Sequence, residues 1–469
     1  MADSLKFGTS GLRGLAIDLI GPPSARYAAA YLAYLVGSGR LAPGAEILVG
    51  RDLRDSSPAI AASVISAIAG AGFRAADCGE LATPALALAA QSAGAPAIMV
   101  TGSHIPADRN GLKFYLAAGE ITKDDEAGIL AALPEMAPIG AAAAVPMPVA
   151  RQAYLARYCE AFGAGLLAGA RIGVFQHSSV LRDDLAALLG DLGAEVVALG
   201  RADHFIPIDT EAVSAETAAQ AAQWVQSERL DALVSTDGDA DRPLVADETG
   251  AVLRGDLLGI LTAQFLDADA VVTPVTSNSA IEGLGFARVL RTRVGSPHVI
   301  AGMAEAAASG ARAVVGFEAN GGTLLGSDVT VGEGRLGALP TRDAVLPILS
   351  VLALARRRGL TLSGLVGTLP ARIARSDRLE HVPQARSALL LGQLAEPDFA
   401  RGYFAPIGEV RSVSDIDGLR FGLASGEVVH YRASGNAPEL RCYTEAETAG
   451  RADELLAWGL AAAEGIVRG

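Results

Sequence analysis

The stretch Leu230-Asp231-Ala232-Leu233-Val234-Ser235-Thr236-Asp237-Gly238-Asp239-Ala240-Asp241-Arg242 runs from a short apolar segment straight into a loop of three acids. The apolar half suits a strand buried on both faces of a parallel sheet. The loop half places acids at alternate positions. In an extended chain their carboxylates point the same way and can converge. Gly238 and Ala240 between them permit a tight bend. An oxygen-only set suits Mg²⁺ or Ca²⁺ and not zinc. An EF-hand reading fails here. Asp237, Asp239, Asp241 and even Glu248 fit its positions one, three, five and twelve, but Arg242 stands where that turn needs glycine. Pro243 comes next, and the flank is a strand pattern, not a helix.

Working outward, the same arrangement occurs twice more. Ile98-Met99-Val100 runs into Thr101-Gly102-Ser103-His104-Ile105-Pro106, and Val314-Val315-Gly316-Phe317 runs into Glu318-Ala319-Asn320-Gly321-Gly322. Ligand sites in open α/β sheets lie beyond the carboxyl ends of strands. Three loaded loops in the same relative place imply one cleft shared by three domains. Other short apolar runs, such as Glu46-Ile47-Leu48-Val49-Gly50 and Arg171-Ile172-Gly173-Val174-Phe175, alternate with helical patterns. Ile60, Val64, Ile65 and Ile68 mark one such helix. Residues 134–150 and 364–370 read as linkers. From Arg401 onward the signals change to hairpins, and the chain ends in an amphipathic helix over 448–467. The expected fold is α/β, with three parallel-sheet domains over residues 1–140, 151–250 and 251–365. A C-terminal α+β domain over 370–469 completes it around a central cleft.

Composition bounds the function. The 469 residues carry 38 basic and 52 acidic side chains, a formal charge of −14. That excludes a general phosphate-backbone binder, and no nucleic-acid partner is expected. Mean hydropathy is +0.33, yet the charge-free stretches are broken by proline and glycine and owe their apolarity to alanine. No spanning segment and no secretory signal are expected. Cys78, Cys159 and Cys442 are too scattered for a disulfide framework or a thiolate zinc site. A cytoplasmic protein, monomeric or a small homo-oligomer, is the expectation.

Other residues suggest phosphate chemistry. Ser103 sits in a tight loop, but Ile105 replaces the second glycine of a hydrolase elbow. A serine beside a cation loop suits carriage of a phosphoryl group, whose oxygens a hard cation can share. Lys113 could move a proton at a sugar hydroxyl if neighbours lowered its pKa. Arg432 and Arg441 bracket Ser434, Gly435 and Asn436, a set suited to cradling phosphate. The segment Gly8-Thr9-Ser10-Gly11-Leu12-Arg13-Gly14 is glycine-rich but lacks the ending of a Walker loop.

Taken together, these motifs resemble the α-D-phosphohexomutase superfamily, the phosphoglucomutases and phosphomannomutases, over essentially the whole chain. The wording of 317–322 and 435–438 is similar to a bacterial phosphomannomutase branch. There are departures: Gly102 and Ile105 in the serine loop, Asn320 and Gly322 in the sugar loop, Asn436-Ala437 in the phosphate loop. The resemblance implies a phosphoserine at Ser103, with Mg²⁺ on Ser103, Asp237, Asp239 and Asp241. A hexose 6-phosphate and hexose 1-phosphate pair, mannose favoured over glucose or glucosamine, would interconvert through a hexose 1,6-bisphosphate. Lys113 would act as general acid and base with His104 assisting. Arg13 and Arg242 would stabilise the transferring group. Glu318, Asn320 and His298 would contact sugar. Arg432, Ser434, Gly435, Asn436 and Arg441 would hold the second phosphate. A metal-dependent sugar phosphatase and a non-catalytic sugar-phosphate-binding protein are the rival expectations.

Overall fold

The computed structural model describes residues 4–8, 11–141, 144–435 and 438–468. They form two compact units, Met1–Val271 with Gly295–Val366, and Val272–Val294 with Gly367–Gly469.

In the first unit, strand Glu46–Arg51 lies between Arg74–Glu80 and Ala97–Val100, parallel to both. Alternate residues Ile47, Val49, Ile98 and Val100 face one core with Ile60, Val64 and Ile68 of helix Ser57–Gly70 and Tyr31, Leu32 and Leu35 of helix Pro22–Gly37. The period of two in the strands and of three to four in the helix puts these side chains on one surface. Truncating one of them to alanine costs about 2–5 kcal/mol. A second sheet orders Glu195–Arg201, Arg171–His177 and Ala232–Thr236 in parallel. A third group joins Val314–Phe317, Thr323–Leu325 and Leu339–Asp343 antiparallel.

Each sheet departs from the all-parallel expectation at its loaded loop. Ala97–Val100 reverses into Arg109–Leu116, Ala232–Thr236 into Pro243–Ala246, and Val314–Phe317 into Thr323–Leu325. The reason is length. A parallel return needs a dozen or more residues, whereas these loops have room only for a hairpin reversal. Strand Leu12–Leu15 then pairs with Arg109–Leu116, setting Arg13 opposite Gly111. Residues 134–150 are also more than a linker. Ala144–Pro146 adds a parallel strand beside Arg74–Glu80. It is an edge position, where proline is tolerated, so the composition hid it.

Within the second unit, residues 367–469 have an α+β arrangement, and residues 272–294, expected with the third α/β domain, cluster with them. Strands Ile373–Glu380, Glu439–Ala446, Val428–Ala433, Leu419–Leu423 and Val410–Ser414 form an antiparallel sheet in that order. Phe421, Tyr431, Leu440 and Cys442 pack with Leu390 of helix Gln384–Leu394 and Leu455 of helix Ala449–Val467. The last helix starts where Thr448 accepts a bond from the Arg451 N–H, a side-chain N-cap. All three cysteines are free thiols. No described helix is long and apolar enough to cross a membrane.

Candidate active site

The acid loop is the turn of a hairpin. Thr236 pairs with Pro243, and the Asp237 N–H donates to the Arg242 carbonyl over 3.0 Å. Ala240 takes a left-handed φ of 58° to complete the bend. Asp237 Oδ1 accepts from the N–H groups of Asp241 (3.1 Å) and Arg242 (3.2 Å), which fixes its direction. The three carboxylates are buried, and one oxygen from each lies within 4.8 Å of the others.

Ser103 meets them from the neighbouring sheet. Its Oγ donates to Asp237 Oδ2 over 2.6 Å and lies 3.2 Å from His104 Nδ1. Its φ of 52° is left-handed, a strained setting for a residue with a side chain and one that concentrates at functional sites. Two interactions hold it there. The Ser103 N–H donates to Thr101 Oγ1, and Arg54 grips the loop from behind. The Arg54 guanidinium donates to the carbonyls of Ser103 (2.9 Å), Ile105 (2.6 Å), Pro106 (2.7 Å) and Arg109 (2.9 Å). It also lies over the Phe205 ring and beside buried Asp52.

Lys113 enters from Arg109–Leu116, with Nζ 2.6 Å from both Asp239 Oδ2 and Asp241 Oδ2. Burial works against its charge, but the two acids outweigh burial and hold the ammonium above its usual range. The sequence reading required a lowered pKa for Lys113, and that condition is not met. Its neighbours are carboxylates, so it stands charged, as a proton donor. His104 is the reverse. Burial, then Arg242, push it down to about 3, so it stands neutral. Arg13 is lowered to about 10 by burial and by Arg242 and Arg342.

The sugar-loop residues form the next turn. Glu318 N–H donates to the Gly322 carbonyl, and Gly321 takes a φ of 87°. Asn320 turns its Oδ1 onto the Gly322 N–H over 2.9 Å, which leaves its amide nitrogen as donor. Glu318 and Asn320 are buried with the acid hairpin, whereas His298 is exposed in the first turn of helix Ser296–Ala308. Burial is outweighed in Asp241 by Arg342, Lys113 and Arg242, which hold it far below the carboxylate range. Asp237 is pushed well up by burial and by Asp239 and Asp241.

A cation fits this set. Asp239 Oδ1 and Asp241 Oδ1 are buried and have no hydrogen-bond donor, while the second oxygen of each is taken by Lys113. The raised Asp237 registers the repulsion a cation would relieve. The donors are all oxygen, as a hard divalent ion requires.

The tail loop belongs to the second unit. Arg432 and Arg441 are register partners on adjacent strands, so both side chains leave the same face of the sheet. Arg432 Nε donates to Asp417 Oδ2 over 2.7 Å, and the Ser434 N–H to the Glu439 carbonyl. Gly435 is exposed. Asn436 lies outside the described residues, as do Thr9, Ser10 and Ala437.

Two residues of the first unit escaped the sequence reading. Arg54 had a signal: Arg51-Asp52-Leu53-Arg54 is a charged run at the end of an apolar strand, a fourth loaded end. Arg342 had almost none, standing with Asp343 as a lone charged pair ahead of an apolar helix.

Family models described as "Phosphoglucomutase/phosphomannomutase, alpha/beta/alpha domain I" and "domain III" match residues 4–137 and 249–373. A phosphomannomutase of Sinorhizobium fredii is 50% identical over 464 residues, 97% of this chain and 98% of that one. One of Salmonella muenchen is 43% identical, over 95% and 92%. A crystal structure of a phosphoglucomutase/phosphomannomutase family protein from Burkholderia thailandensis shares the fold, at TM-score 0.77 and 20% identity over 98% and 97% of the two chains. With two sequence relatives matched nearly end to end, the chain belongs to the phosphoglucomutase/phosphomannomutase family.

Proposed function

We propose that the chain is a phosphohexomutase that interconverts mannose 6-phosphate and mannose 1-phosphate through a phosphoserine at Ser103 and a hexose 1,6-bisphosphate. The observation that carries this reading is the 2.6 Å bond from Ser103 Oγ to Asp237, with two orphaned carboxylate oxygens beside it. Ser103, Asp237, Asp239 and Asp241 would hold Mg²⁺, which when bound supplies charge for the phosphoryl oxygens.

The chain's own side chains supply the rest. In the first half, the phosphorus–Oγ bond of Ser103 breaks and a phosphorus–oxygen bond forms at the free sugar hydroxyl. In the second, the other phosphate of the bisphosphate returns to Ser103. Each half moves one proton. In the first, neutral His104 is suited to accept the proton of the attacking sugar hydroxyl and charged Lys113 to donate one to the leaving Ser103 Oγ. In the second the two exchange roles, so both return to their starting state. Arg13 and Arg242 bring fixed positive charge to the equatorial oxygens without reorganisation. Glu318, with an acceptor, and Asn320, with its amide donor, would bind sugar hydroxyls, with His298 an additional contact. In the second unit, Arg432, Ser434, Gly435, Asn436 and Arg441 would grip a phosphate.

The test is a coupled assay on mannose, glucose and glucosamine 1-phosphates side by side, with Ser103→Ala as control and intact mass to follow the phosphoryl group. Turnover of mannose phosphate, lost in the variant, is expected. Equal rates on mannose and glucose overturn the single-sugar claim. Full activity of Ser103→Ala overturns the mechanism, and phosphate release without isomerisation identifies a phosphatase.

A further inference from the structure

One buried arginine joins the acid hairpin to the sugar turn. Arg342 lies on strand Leu339–Asp343, beside Thr323–Leu325, and is almost wholly buried. Its Nε and Nη2 donate to Asp241 Oδ2 over 3.1 and 2.9 Å. Its Nη1 donates to Glu318 Oε2 over 3.0 Å. One planar fork therefore fixes two carboxylates from different loops, which a lysine ammonium cannot reproduce.

The stem of the same residue explains a glycine. A Cβ at position 322 would fall 2.7 Å from Arg342 Cδ and 2.9 Å from Cγ and from the Asp241 carbonyl. The turn closes on glycine because the arginine stem lies across it. Arg342 thus occupies the space over the sugar turn and supplies the charge beneath it.

We propose that Arg342 is the positioning residue that orients Glu318 for the sugar and, through the same guanidinium, lowers the affinity of the acid hairpin for a divalent cation. The two effects have one cause. Charge donated to Asp241 is charge the carboxylate does not offer to a metal, and the fork that donates it also aims Glu318. Removing the fork releases both acids. The cation site gains negative charge while the sugar turn loses its alignment. Damage to the fold would weaken both together, so opposite signs distinguish the two. The sugar arm of this inference rests on the mutase reading, and the cation arm does not.

The test compares wild type with Arg342→Lys, Arg342→Met and Gly322→Ala. Mn²⁺ titration gives the cation affinity. Steady-state kinetics on mannose 1-phosphate with bisphosphate give KM and kcat. Arg342→Met, which removes both charge and fork, should bind Mn²⁺ more tightly, by about threefold to tenfold, while KM rises about tenfold, the worth of one lost charge-assisted hydrogen bond. Arg342→Lys, which keeps a charge but cannot span both acids, should raise KM similarly and tighten Mn²⁺ by less. Gly322→Ala, which displaces the stem and keeps the charge, should raise KM by less. If Arg342→Met does not fold, Arg342→Lys carries the comparison. Weakening of both Mn²⁺ and substrate, or unchanged values for both, overturns the inference. If wild type turns over no hexose phosphate, the mutase reading falls, and the Mn²⁺ comparison alone decides: unchanged or weaker binding overturns the coupling.

Discussion

Ser103 Oγ donates to Asp237 Oδ2 over 2.6 Å, a bond between residues 134 positions apart. It ties the serine loop to the acid hairpin through the very oxygen proposed to carry phosphate. Phosphorylation removes this donor and places a near-dianion beside three buried acids. Lys113 and Arg342 are already committed to the acids, so a bound cation would add the charge that is still missing. The thermal midpoint of the phosphorylated form should fall on EDTA treatment by a few degrees more than that of the dephosphorylated form, at about 2–4 °C per kcal/mol for a large domain. Mg²⁺ should restore it. Calorimetry on the two forms checks this, and equal responses would count against a shared site.

Gly238 is where the two loops touch. A Cβ there would fall 2.7 Å from the Phe205 ring and 3.0 Å from the Ser103 carbonyl. Gly238→Ala should cost about 1–3 kcal/mol in urea unfolding through overpacking. It should also lower mutase kcat, because relief comes from a shift of the Ser103 carbonyl or of the Phe205 ring, on which Arg54, the anchor of the Ser103 loop, lies. A stable variant with full kcat would show that the loops do not press on each other here.

Arg54 meets three carbonyls of the serine loop and that of Arg109, at the start of the next strand, with one guanidinium, and its charge is answered by Asp52. Arg54→Met strands Asp52, so a loss of about 3–5 kcal/mol is expected. Arg54→Lys keeps the charge but not the fork. It should fold, with slower phosphorylation of Ser103 by added bisphosphate. Time-resolved intact mass provides the measurement.

His430 gives a pH signature. Its Nε2 donates to the Asp417 carbonyl over 2.7 Å, its ring stacks on Tyr443, and its Nδ1 is buried without a hydrogen bond. Burial lowers it to about 4, against an ordinary value of about 6.5. Between those values the unfolded chain binds the proton that the folded one refuses. The contribution is therefore complete above about pH 6.5, is lost as pH falls toward 4, and is flat below. Urea midpoints of wild type should fall more steeply across that window than those of His430→Gln, by on the order of 2–3 kcal/mol in total. Parallel curves would contradict the assignment.

The parts of the site legible in the sequence were those carried by contiguous residues. The acid loop, the serine loop and the sugar turn each announced themselves as polar runs on the ends of apolar strands. The direction the chain takes after a loaded strand was not legible. All three loops reverse into antiparallel neighbours, and nothing in a short apolar run distinguishes that from a crossover. Charge context was hidden as well. Lys113 read as a candidate for a lowered pKa because Asp239 and Asp241 are more than 120 positions away. Arg342 was invisible for the same reason: its partners, Asp241 and Glu318, are neighbours only in the folded chain.

The span of these ion pairs bears on the order of assembly during synthesis. Asp241 lies buried between Lys113, made 128 residues earlier, and Arg342, made 101 residues later. Until residue 342 has emerged, the hairpin carries acids that only part of their counter-charge can answer, and a low-dielectric interior resists such an imbalance. Contacts of this separation also close late, because the entropy of the intervening loop must be met first. A ribosome-bound chain cut short before Arg342 should hold its hairpin open to solvent and to protease. The acid hairpin would then be among the last parts of its unit to become native, and the chemistry proposed for it would wait on the emergence of Arg342.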